Sequence, residues 1–242
     1  MMESVTTPAA KRSIWAIVGD VFFAPTRAFE SFKLRPTLWV PLILVVLSFA
    51  VVAYVGFDYD QQATRAIYDA SPDVSPAARA QIDHQPGFIG PAFAAGMMLV
   101  MFPIITVVGA LIAWMFISFF FGKKASFKDV WATNLLSGVI AAFGALIHLP
   151  LMLAKESVYV SLGPAALLSG SDYTSYFYTA MIQFDVFTIW WVIVAAMGYS
   201  VVFGLSKAQG AAISITLWLI GMLMFVMKTV GFAFAGVKTT FF

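Results

Sequence analysis

Three ionisable side chains stand out in a chain that has few. Asp185 sits near the start of the apolar run MIQFDVFTIWWVIVAAMGYSVVFGLS (181–206), His148 late in a second apolar run and Lys228 late in a third. A carboxylate in hydrocarbon must find a partner, reach water or take up a proton, so an acid, a base and an imidazole at one depth could pair or relay protons. The arrangement expected is an Asp185–Lys228 ion pair helped by His148, a polar layer that sets how three helices dock. Two readings compete with it: Lys228 reaching along its own stem to the nearby interface, and a proton or ion path through all three residues. Two histidines and no cysteine make a dedicated metal site an unpromising reading and exclude disulfide and thiol chemistry. Ser137, Ser157 and His148 show no spacing of a nucleophile with its base, so neither a catalytic residue nor a cofactor is expected.

The elements that must hold these residues are membrane helices. Of the 242 residues, 61% are hydrophobic and 11% charged, too little charged surface for a soluble domain of this length, and the mean hydropathy is +0.90. The net charge of +2 comes from scattered basic residues and gives no nucleic-acid surface. At about 1.5 Å per residue a hydrocarbon core of roughly 30 Å takes about 20 helical residues. Five segments qualify, at about 38–57, 92–121, 130–153, 182–205 and 211–235. The expected fold is therefore all-α and polytopic, with a lead-in region 1–35 and a five-span domain 36–242. Pro36 and Pro41 bracket the entry to the first span, where first-turn amides have no helical partner to lose. Pro103 gives the second span a bend, and Gly109 with Ala113 offers a small-residue face. Gly138, Ala141, Ala142 and Ala145 do the same for the third. Ser126 is placed to cap a short helix leading into that span.

Outside the spans, 13–34 reads as two short amphipathic helices broken near Pro25, with Ile14, Ile17, Val18, Val21 and Phe22 on one stripe and Phe29 and Phe32 on the next. They are expected flat on the membrane surface, Arg27, Lys33 and Arg35 toward headgroups and Trp15 at the interface, or else packed on the ends of the spans. Interruption by charges and Pro25 argues against a cleavable signal peptide. Residues 58–91 read as a loop with helices over about 60–70 and 75–82, and His84 as loop surface. The aromatic cluster Tyr173, Tyr176, Phe177 and Tyr178 reads as a belt leading into the fourth span. Near the span ends, nine basic residues fall on the N-terminal side and four, Arg65, Arg79, Lys155 and Lys238, on the other. That bias predicts a cytoplasmic N-terminus and, after five spans, an external C-terminus.

Trp15, Pro25, Phe29, Pro36 and Pro41 along the lead-in and LRPTLWVPLIL, with Asp185, Phe187, Ile189, Trp190, Gly198 and Lys207 in DVFTIWWVIVAAMGYSVVFGLSKAQG, resemble the pattern of the Yip1-domain family. The resemblance covers nearly the whole chain. It implies a five-span membrane protein without enzymatic chemistry, in a bacterial inner membrane; Trp190, Gly198, Pro36 and Pro41 from this pattern, together with Pro103 at the bend of the second span, are the candidate structural positions. Eukaryotic relatives are similar to vesicle-traffic factors that bind small membrane GTPases. The lead-in is shorter than the cytoplasmic region of those relatives, so small-GTPase binding is not carried over. A scaffold or assembly partner is the expected role, with membrane lipids, other membrane proteins or a second copy as partners and no nucleic acid; a small-solute or ion transporter is the alternative.

Overall fold

Ser13 accepts the Ala16 N–H on its hydroxyl and starts α1 (Ile14–Phe23), and Pro25, whose missing N–H is no loss in a first turn, starts α2 (Pro25–Lys33) at once. The computed structural model describes residues 12–77, 89–168, 174–234, 236–237 and 239. In chain order there follow α3 (Trp39–Asp69), α4 (Ile89–Met115, prolonged by a π-helical turn Phe116–Phe120), α5 (Phe127–Lys155), the short α6 (Tyr176–Met181), α7 (Val186–Phe203) and α8 (Lys207–Phe234). Five of these, α3, α4 with its π turn, α5, α7 and α8, are long and apolar enough to cross a membrane, the all-α polytopic architecture expected. Lys11, Arg79, His84, Tyr173 and Lys238, with residues 78–82 of the expected loop helix, lie outside the described residues.

The most enclosed of the five is α5, which packs on α3, α4 and α7, while α8 lies against α7. Small residues let this happen: Ala132, Ala142 and Gly144 of α5 and Ala113 of α4 are buried. The end carrying α1 and α2 is the lead-in end, and the opposite one the loop end.

Two expectations need correction, and a third is decided between its alternatives. The first span does not stop at Phe57: α3 runs unbroken to Asp69, because DYDQQATRAIYD contains no glycine or proline and the stop comes only before Pro72. Ser71 seals that end by donating its hydroxyl to the Ile67 carbonyl at 2.9 Å. Ser126 caps the long α5 itself, accepting the Asp129 N–H at 3.1 Å, rather than a separate short helix. The lead-in pair, finally, takes the second of its two expected placements and packs on the span ends. Val21, Ala28, Phe29 and Phe32 are fully buried in one cluster with Leu136 and Ile140 of α5 and Val194 of α7. Gly198 is the notch that receives Phe29, since a Cβ there would stand 2.7 Å from Phe29 Cζ. Trp190 meets Phe22 edge-on at 5.7 Å. Arg27, with more than half of its side chain exposed, donates to Asp20 at 2.7 Å, and Arg12 pairs with the same carboxylate. A bundle end supplies shaped partners for phenylalanines, which fluid lipid does not, while Asp20 of α1 itself supplies the counter-ion for both arginines. Trp15 and the basic Lys33 and Arg35 remain exposed.

Pro41 is buried in the first turn of α3 and Pro103 lies inside α4, which continues through it. At the last turn between spans, Gly204 adopts φ 61°, a left-handed helix end that only glycine takes without strain. Ser206 and Gln209 then bond each other's backbone N–H groups, a capping box that launches α8.

Candidate functional site

The charge that looked embedded in a span stands at its threshold. Met181 ends α6, Ile182–Phe184 makes one 3₁₀ turn, and Asp185 is extended, with φ −64° and ψ 146°, as the N-cap of α7. Its Oδ1 accepts the Phe187 N–H at 3.0 Å, one of the amide groups a helix start leaves without a partner. Oδ2 accepts the Leu162 N–H, from the loop after α5, at 2.7 Å, and meets His148 Nε2, from α5, at 2.9 Å. One carboxylate thus ties together α5, the loop behind it and α7. Gly163 allows the loop to come this close, because a Cβ on it would lie 2.5 Å from the Phe184 carbonyl oxygen and 3.0 Å from Asp185 Cα. Gly144 performs the same service one layer below: a Cβ there would run into Phe187, and the glycine carbonyl holds the other ring nitrogen of His148 at 2.7 Å.

A carbonyl only accepts, so His148 Nδ1 carries a hydrogen, and between Nε2 and Oδ2 there must be a second. The two backbone N–H groups pointing at Asp185 favour the carboxylate, which leaves the second proton on the imidazole and makes the contact an ion pair. Burial works against the Asp185 charge, but the donors of His148, Leu162 and Phe187 outweigh it and hold this carboxyl below its ordinary value. Asp185 and His148 are both largely enclosed, with side chains 9% and 16% exposed.

Lys228 is not part of this group, and the Asp185–Lys228 pair does not form. Its Nζ stands 3.9 Å from Asp60 Oδ1 of α3 and 5.7 Å from the centre of the Phe232 ring, with both charged side chains about half exposed. The reason is the extra length of α3, which carries Asp60 past the apolar stretch to the level of Lys228. The expected polar layer is therefore two separate acid–base pairs. Ser137 and Ser157 are tied to nearby backbone, Ser137 donating to the Thr133 carbonyl at 2.9 Å and Ser157 accepting the Tyr159 N–H at 3.1 Å. Among the described residues no three of His, Cys, Asp and Glu gather where a metal ion could be held.

Sequence reading missed a second polar group nearer the lead-in end. The Thr106 hydroxyl of α4 donates to the Pro103 carbonyl at 2.8 Å and accepts the Trp131 indole N–H of α5 at 3.1 Å. Asn134 of α5 donates to the Thr106 carbonyl at 3.4 Å and accepts the hydroxyl of fully buried Tyr199 of α7 at 3.3 Å. The available signal was an asparagine and a threonine within apolar runs, which hydrocarbon tolerates when another helix answers them.

The model of one protein family, the Yip1 domain, matches residues 19–227. No curated protein and no solved structure matches the chain.

Proposed function

This chain belongs to the Yip1 domain family, and we propose that it serves as a non-enzymatic scaffold in a bacterial cytoplasmic membrane, its lead-in end in the cytoplasm. There it holds partner membrane proteins or a second copy of itself. The observation that carries the reading is a braced basic platform. Lys33, Arg35, Lys123, Lys124, Lys128 and Lys207 are all exposed at the lead-in end. Behind them α1 and α2 are locked onto α5 and α7 through buried Phe29 and Phe32, so the platform has a fixed shape. Basic residues at span ends are retained on the cytoplasmic side, and an exposed cationic face attracts acidic protein segments and anionic headgroups alike.

The transport reading needs one polar route through Asp185, His148 and Lys228. Their division into two pairs, with the Asp185 oxygens taken by protein donors, favours assembly instead. Two experiments test the proposal together. Reporter fusions in the Lys123–Lys128 link and after Lys207 should read cytoplasmic and a fusion at Asp73 external; a cytoplasmic Asp73 would reject the orientation. Photo-crosslinkers at Lys33 and Lys124 in intact membranes should trap the same proteins, and a crosslinker at Lys155 should not. Identical patterns from all three sites would show that the basic platform is not the docking surface.

A further inference from the structure

Beside Lys228, the far part of α3, the loop after α5, α6 and α8 leave a cavity of about 190 Å³. Asp60 and Lys228 stand in its lining with Tyr159 and Thr179, and Phe225 and Phe232 supply apolar wall. A buried hydroxyl pair in the same lining, Thr179 with Thr229 at 2.9 Å, joins α6 to α8. A half-exposed apolar surface of Leu223, Met224, Phe225 and Met227 on α8 runs up to it.

We propose that this cavity seats the headgroup of one zwitterionic phospholipid bearing a primary ammonium, its phosphate on Lys228, its ammonium on Asp60 and its chains along the exposed face of α8. Charge complementarity selects this occupant. Lys228 and Asp60 carry opposite unit charges whose fields largely cancel at a distance, so the site attracts neither a bare cation nor a bare anion strongly. A ligand carrying both charges a few bonds apart answers both residues. The pair is loose enough to be opened: 3.9 Å exceeds hydrogen-bonding length, and both side chains are about half exposed. The cavity has room for a headgroup and none for acyl chains, yet it adjoins the apolar flank of a membrane-length helix, so the rest of the molecule has a place to lie. This inference does not depend on the assembly reading, which concerns the opposite end of the bundle.

The test uses the full-length protein, stripped of lipid in detergent and re-equilibrated with equimolar phosphatidylethanolamine and phosphatidylglycerol, with bound lipid read by native mass spectrometry. A single retained phosphatidylethanolamine, enriched about tenfold over phosphatidylglycerol, is expected from one charge-assisted contact that the anionic lipid cannot make. Lys228→Met should lower retention of both lipids, Asp60→Asn should turn the preference toward phosphatidylglycerol, and Lys155→Met should change nothing. Melting curves confirm that the variants remain folded. Equal retention of the two lipids by the native chain, an enrichment indifferent to Lys228→Met and Asp60→Asn, or an equal loss in Lys155→Met would overturn the proposal. So would displacement of the lipid by soluble phosphoethanolamine at matched concentration, which would mean that the chains contribute nothing.

Discussion

Two acid–base pairs lie toward the same end of this bundle and differ in almost every respect. His148 and Asp185 meet at 2.9 Å with little exposure, and two backbone N–H groups complete the carboxylate's shell. Lys228 and Asp60 stand 3.9 Å apart with about half of each side chain open. The first joins a span, a loop and a helix start; the second connects α3 and α8 across a cavity. A charge that has been desolvated depends on its partner, because its hydration has already been given up, whereas an exposed charge keeps water as an alternative. The enclosed pair is thus a structural commitment, and the open one is available for exchange with a ligand.

Asp185→Ala offers the strongest way to break this contrast. It removes the N-cap of α7 and strands His148 and the Leu162 N–H, and should cost about 3 kcal/mol or more in detergent unfolding. A loss no larger than that of a surface substitution would show that the enclosed pair does not hold the loop end together.

Next in size is the close approach beneath it. In Gly144→Ala the new methyl meets Phe187, whose position is fixed by α7, and the expected loss is about 1–3 kcal/mol. Thermal unfolding matched to the native chain would mean that α5 and α7 can separate freely.

Double-mutant cycles then sharpen the assignment of partners. Asp185→Asn with His148→Gln should show coupling of about 1 kcal/mol or more, while Asp185→Asn with Lys228→Met should be additive to within about 0.5 kcal/mol, since the latter two residues share no partner. Strong coupling in the second cycle would reunite the two pairs into one layer. The smallest effect belongs to the open pair: Lys228→Met with Asp60→Asn should move stability by less than about 1 kcal/mol, read in the same assay. A larger loss would make it a structural contact like the first.

The existence and number of the spans were legible in the sequence because hydrocarbon imposes a local requirement, some 20 consecutive apolar residues, that can be counted without knowing any neighbour. Asp185, His148 and Lys228 stood out for the same reason, as exceptions to that requirement. Gly198 also lay in plain view, though not that it is the seat of Phe29, 169 positions earlier in the chain. Two local signals in the sequence bear on where these charges stand. An aspartate directly before an apolar helical run is an N-cap, which moves Asp185 to the threshold of α7, and the absence of a breaker between Phe57 and Pro72 lets α3 carry Asp60 to Lys228. Only the tertiary structure decided the partners themselves. A single helical turn covers 5.4 Å, more than the reach of a hydrogen bond, so boundary shifts of one turn exchange one partner for another. The backbone groups of Gly144 and Leu162 that complete the site carry no side-chain signature at all, and their availability depends on how closely the helices and the loop pack.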